Sequence, residues 1–182
     1  MDINQLRKDL SVKSKNGLDF TLSAGVIWLL ITFIWTTDFS AYNKSVLTFI
    51  AGGVMLPLTL LFSKIFKTTW TNRENPLQSL GLWFNFAQLF YFPLLVLALV
   101  KYPEDFVLIY AVITGAHLFP YSWFYKNPYY AVFAGLMSVG AIMISLLLSE
   151  EMAYVTPLFL SIMMFILTSF LFLDYRKKIS AR

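Results

Sequence analysis

Residues 75–126 read NPLQSLGLWFNFAQLFYFPLLVLALVKYPEDFVLIYAVITGAHLFPYSWFYK. Two runs free of Asp, Glu, Lys and Arg, 75–100 and 106–125, are separated only by Lys101-Tyr102-Pro103-Glu104-Asp105. A helix rises ~1.5 Å per residue, and a hydrocarbon core of ~30 Å takes ~20 residues to cross. Both runs are long enough for that. They are too long for buried strands, and backbone in lipid has to satisfy its own hydrogen bonds. The stretch therefore predicts two membrane-spanning helices joined by a tight hairpin near Pro103.

Four more such runs flank this hairpin, at 20–37, 45–63, 127–149 and 152–173, so that all six are 18 to 26 residues long. The prediction is an all-α, polytopic transmembrane bundle with spans at about 18–36, 45–63, 76–100, 106–125, 128–148 and 153–173. A basic segment, 1–17, precedes the bundle, and a basic tail, 176–182, follows it. Composition agrees: 58% of residues are hydrophobic and 13% charged, against ~45–50% and ~25% in soluble chains. The first run is read as a span rather than a signal peptide. It exceeds the usual ~7–15-residue apolar core, and no small-x-small cleavage site follows Trp35.

Charge placement orients the bundle. With the N-terminus inside, the inner segments hold twelve cations: Arg7, Lys8, Lys13, Lys15, Lys64, Lys67, Arg73, Lys126, Arg176, Lys177, Lys178 and Arg182. The outer loops hold only Lys44 and Lys101, together with Asp38, Glu104, Asp105, Glu150 and Glu151. Such a bias predicts both termini in the cytoplasm and a place in the plasma membrane. In residues 1–17, Ile3, Leu6 and Leu10 share a helical face beside Arg7, Lys8 and Lys13. That is either a short amphipathic helix on the inner leaflet or a partly ordered basic tail, with Asn16-Gly17 as the stop signal for a helix. Asn75-Pro76 and Asn127-Pro128 are start signals for the third and fifth spans.

The same facts exclude several kinds of chemistry. The net charge of +4 forms no basic stripe, so nucleic acid is not an expected partner. There is no cysteine, hence no disulfide, thiolate metal site or cysteine nucleophile. One histidine cannot build a multi-histidine metal centre. No metal or other cofactor is expected. No carboxylate lies mid-membrane, which argues against proton-coupled transport. Asp19, near the inner end of the first span, is expected to reach the interface or to pair with Lys13 or Lys15. No phosphate-binding loop, dinucleotide fingerprint or serine elbow appears.

The few polar residues inside the spans are patterned. Gln78, Gly81, Asn85 and Gln88 share one face of the third span, and Tyr110, Thr114, His117 and Tyr121 share one face of the fourth. Counted back from Pro103, Gln88 comes level with His117 and Asn85 with Tyr121. Polar groups in hydrocarbon turn towards the bundle interior. The two faces therefore form either a ligand pocket or interhelical glue. In the pocket reading Asn85, Gln88, Thr114, His117 and Tyr121 supply hydrogen bonds, and Trp83 and Tyr91 supply apolar walls. Pro57, Pro93, Pro120 and Pro157 are expected to interrupt spans, a feature of transporter sites and of membrane helices in general. In the fifth span Ala134, Ser138, Ala141 and Ser145 form a seam of small residues, for packing within the bundle or for a homodimer.

Two stretches, Asn75-Pro76-Leu77 through Pro93 with Gly81-Leu82-Trp83-Phe84-Asn85, and Gly115-Ala116-His117-Leu118-Phe119-Pro120-Tyr121, carry a resemblance. The chain resembles an uncharacterised family of small six-helix bacterial integral membrane proteins of unknown function, which implies the six-span fold and supplies no activity. Its aromatic richness is also similar to that of small membrane receptors of the tryptophan-rich sensory type. Those have five spans and share no residue motif with it, so nothing is carried over.

Three functions fit the sequence. The first is a non-enzymatic membrane protein that binds or transports a small, largely apolar ligand or lipid at the cluster between the third and fourth spans. The second is a structural or accessory membrane subunit engaging a protein partner. The third is a lipid-modifying enzyme with His117 as base, for which no second catalytic group is evident.

Overall fold

The computed structural model describes residues 2–70 and 74–180. Arg73 and Arg182, two of the cations counted above, lie outside the described residues. Within them the chain is helical, with no strand. Six stretches are long and apolar enough to cross a membrane: Lys15–Trp35, Ala41–Phe66, Gln78–Lys101, Pro103–Phe124, Tyr129–Leu147 and Glu150–Ser180.

A short helix, α1 (Ile3–Lys13), precedes the first span, α2 (Leu18–Trp35). Three spans are each built from two helical pieces. They are α3 (Ala41–Gly53) with α4 (Met55–Phe66), α5 (Gln78–Leu89) with α6 (Phe92–Lys101), and α7 (Phe106–His117) with α8 (Phe119–Phe124). The last two spans are α9 (Tyr129–Leu147) and α10 (Val155–Ser180). The breaks have a common cause. Pro57, Pro93 and Pro120 each fall in the first turn of the second piece. There a missing N–H leaves no helical hydrogen bond unmade, whereas deeper in a helix it would. Pro157 sits in the first turn of α10 and interrupts nothing, because α10 runs unbroken to Ser180. The described part of the basic tail is thus the end of that helix.

The core lies between α2 and α10, with α9 packed on α7 and α10. Trp28, Ile31, Met137, Leu160, Met164 and Leu167 are fully buried there. The small-residue seam of α9 faces inward: Ala134 and Ala141 are buried, and the Ser138 hydroxyl donates to the Val112 carbonyl of α7 at 3.4 Å. The close approach depends on Gly115, where a Cβ would come within 2.7 Å of the Ser138 Oγ. Ser145 is exposed near the far end of the seam.

The third span is the least embedded, with Trp83 67% and Phe90 85% exposed. α1 is helical and lies against the protein across one end of the bundle. Leu10 is buried, the Thr69 N–H donates to the Lys13 carbonyl at 3.0 Å, and the Arg7 guanidinium stands 4.7 Å from the Trp123 ring. Asn16, just before α2, bonds to Asp174 near the end of α10 at 2.9 Å. α1 and the last turns of α10 therefore lie at the same end of the bundle.

Candidate functional site

Two polar clusters stand out, one within the third and fourth spans and one at the end that carries the termini. In the first, the Tyr121 hydroxyl of α8 donates to Asn85 Oδ1 of α5 at 3.2 Å. Asn85 Nδ2 donates to the Gly81 carbonyl one turn earlier at 3.0 Å. Tyr121 Oη also stands 3.5 Å from His117 Nε2. With the hydroxyl proton directed at Asn85, the Tyr121 oxygen is left as an acceptor, so the Nε2–H tautomer of His117 is the one that completes the run. In that tautomer Nδ1 is an acceptor, and no described residue donates to it.

Local packing sets this geometry. Gly81 lets α5 close on α8: a Cβ there would stand 2.9 Å from the Phe124 Cζ. Phe84 meets Tyr121 and Phe124 edge-on at 5.6 and 5.8 Å. Of the residues predicted for the site, Asn85, His117 and Tyr121 come together. Gln88 is half-buried and makes no hydrogen bond to this chain of groups. Thr114 returns its hydroxyl to the Tyr110 carbonyl of its own helix at 2.8 Å, and Gln78 donates to the Trp70 carbonyl at 2.7 Å. Trp83 and Tyr91 face outward, 67% and 45% exposed, and the structure does not bring either ring against the cluster. Asn85 is itself exposed, and the cluster opens sideways rather than into the bundle.

The second cluster was not anticipated from sequence. Asp174 Oδ2 accepts from Asn16 Nδ2 at 2.9 Å, Asn127 Nδ2 at 2.9 Å and Lys178 Nζ at 2.7 Å. Lys178 donates onward to the Ser11 hydroxyl at 2.8 Å and the Tyr125 carbonyl at 3.2 Å. Tyr130 caps the knot by donating to the Asn16 carbonyl at 2.6 Å. Asn16 holds a left-handed backbone (φ 57°), as Gly17 does (φ 73°). Asparagine tolerates this conformation better than other non-glycine residues. Beside the knot, Asp19 is buried and pairs with neither Lys13 nor Lys15. Its Oδ2 accepts from Thr68 Oγ1 and Trp70 Nε1, both at 2.6 Å. Lys13 instead pairs with Asp9 at 3.2 Å, and Lys15 donates to the Phe66 carbonyl.

The two Asn-Pro starts share one construction. Asn75 Oδ1 accepts from the Leu77 N–H at 3.1 Å while its amide donates to Asp9 of α1 at 3.1 Å. Asn127 Oδ1 accepts from the Tyr129 N–H at 3.0 Å while its amide donates to Asp174 of α10. Each asparagine caps a span and ties it to a terminal helix. The only sequence signal for the knot was the spacing of Asp174 and Lys178, which places them one helical turn apart.

The rings of Tyr121, Tyr125 and Tyr130 lie 5.7 to 5.9 Å apart and join the two clusters. Among the described residues no group of His, Asp and Glu can hold a metal ion, and no carboxylate pairs with His117. The Asn85–Tyr121–His117 cluster is built from neutral groups and is exposed on the Asn85 side.

Six helices of this length and apolarity define the class: a multi-pass α-helical membrane protein. Within that class, the chain belongs to a family of unknown function, DUF7010, whose model matches residues 3–174. The matched region takes in α1, all of the Asn85–Tyr121–His117 cluster and Asp174 of the knot. Neither the curated proteins nor the solved structures give a match to the chain.

Proposed function

We propose that this protein binds, from within the membrane, a small and largely apolar ligand that carries one hydrogen-bond donor, at the cluster formed by Asn85, Tyr121 and His117. The observation that carries this reading is the hydrogen-bonded run from Asn85 across the helix pair to Tyr121 and on to His117. It spends the polarity of Asn85 and Tyr121 on one another and, in the Nε2–H tautomer of His117, leaves Nδ1 as an unused acceptor. An exposed asparagine facing hydrocarbon is costly, and a ligand covering it would relieve that cost. Phe84, edge-on to the Tyr121 ring at 5.6 Å, offers apolar surface beside the cluster to the body of such a molecule.

The test is thermal stability of the detergent-purified protein against a library of lipids and apolar metabolites. A compound is expected to stabilise the wild type and to lose most of its effect on His117→Ala and Asn85→Ala. If no compound stabilises the wild type selectively over these two variants, the reading fails.

We further propose that the bundle sits in the plasma membrane with both termini cytoplasmic. Support comes from the exposed cations Lys8, Lys64, Lys67, Lys126, Arg176 and Lys177, all at the end that carries the termini. Glu104, Asp105, Glu150 and Glu151 are exposed at the other. Because the chain has no cysteine, single replacements report cleanly. A thiol reagent that does not cross membranes should label Glu104→Cys in intact cells and leave Lys126→Cys unlabelled. The reverse pattern would invert the orientation.

A further inference from the structure

The last two turns of α10 have two faces with different occupations. The inner face carries Asp174 and Lys178, which are committed to each other and to the knot. The outer face carries Leu173, Arg176, Lys177 and Ser180, which line a shallow hollow open to the outside. Their spacing of three, one and three residues is that of a single helical face. The same face continues up the span through Ile162, Ile166 and Ser169, all exposed. Ser169 returns its hydroxyl to the Phe165 carbonyl at 2.9 Å, so that stripe presents no unsatisfied polar group to an acyl chain. Apolar surface thus runs along the helix and ends on two adjacent cations and a hydroxyl.

Those cations are free for an outside partner. Among the described residues neither Arg176 nor Lys177 forms an ion pair with a carboxylate, and the Arg176 guanidinium stands 6.0 Å from the Phe172 ring. The nearest acid, Asp174, is already shared by three donors. We propose that this face is a binding site for an anionic phospholipid. The phosphate sits between Arg176 and Lys177, Ser180 donates a hydrogen bond to it, and an acyl chain lies along Ile162, Ile166 and Leu173. Charge complementarity selects the anionic headgroup over a zwitterionic one, because two unopposed cations meet one net negative charge. The site does not involve the Asn85–Tyr121–His117 cluster and stands or falls independently of it.

The experiment is native mass spectrometry of the delipidated full-length protein, titrated with equal amounts of phosphatidylglycerol and phosphatidylcholine of the same acyl composition. Wild type is expected to retain phosphatidylglycerol about tenfold over phosphatidylcholine. Arg176→Gln with Lys177→Gln should bring the two lipids to near parity, with each single change giving an intermediate loss. These side chains are exposed, so the melting temperature should stay at the wild-type value. The pair Lys64→Gln with Lys67→Gln, exposed cations on another span, should keep the preference. Equal retention by wild type overturns the proposal. So does a preference that survives the double change at 176 and 177, or one lost equally with the change at 64 and 67, which would mark diffuse charge. Full displacement of the lipid by excess inorganic phosphate would reassign the hollow to a soluble anion.

Discussion

The knot at the terminal end and the cluster between α5 and α8 are both made of a few polar side chains in an apolar bundle, yet they differ in every physical respect. The knot joins residues far apart in sequence, with Ser11 and Asn16 meeting Asn127, Asp174 and Lys178. It contains charge, its Asp174 and Lys178 are largely but not wholly covered, and no buried side-chain polar atom among the described residues lacks a partner. The α5–α8 cluster joins two neighbouring spans through neutral groups, its amide is exposed, and one histidine nitrogen is unused. A closed charged network specifies structure, because each member left alone would be a buried unsatisfied group. An open neutral one contributes little to stability and has hydrogen-bonding capacity to spare for a ligand.

Breaking the knot should have the largest effect. Asp174→Ala leaves Lys178 and two asparagine amides without their shared acceptor, and about 3–5 kcal/mol of unfolding free energy should be lost, measured by denaturant titration in detergent. A loss below about 1 kcal/mol would mean that water reaches the knot and satisfies it. Next is Trp70→Phe, which takes one of two side-chain donors from buried Asp19. A loss of about 1.5–3 kcal/mol is expected, the range for hydrogen bonds to charged groups. Gly81→Ala should cost about 1–3 kcal/mol by forcing α5 away from Phe124. It should also weaken the Asn85–Tyr121 bond, which a double-mutant cycle with Asn85→Ala and Tyr121→Phe would reveal. The smallest effect is that of Asn85→Ala alone, about 0.6 kcal/mol, the average for a neutral hydrogen bond between membrane helices.

The same contrast explains what the sequence disclosed. Six spans were legible because length and apolarity are local properties, and charge-free runs of this length leave little else for the chain to do. The pairing of Asn85 with Tyr121 was legible too. A short hairpin fixes the register of its two arms, so counting from Pro103 locates residues at equal depth. Gln88 shows the limit of that method, since equal depth with His117 does not ensure that the side chains face each other. The outward placement of Trp83 and Tyr91 was hidden for a similar reason: helical spacing tells which residues share a face but not which face turns to the bundle. The knot was illegible because its members come from three stretches far apart in sequence, 11–16, 125–130 and 174–178, and only the fold brings them together. The reading of Asp19 with Lys13 or Lys15 failed on the same ground. Proximity in sequence pointed to a cation, while the folded chain supplies Thr68 and Trp70 from the loop after α4.

One measurement sets the two regions directly against each other: the melting temperatures of wild type, Asn127→Ala and Asn85→Ala, each with and without the strongest stabiliser from the lipid and metabolite library. Asn127→Ala should melt well below wild type and still gain the full stabilisation from the compound. Asn85→Ala should melt close to wild type and gain almost none. If Asn127→Ala loses the compound's effect while Asn85→Ala keeps it, the binding site does not lie between α5 and α8 and the division of roles between the two clusters is wrong.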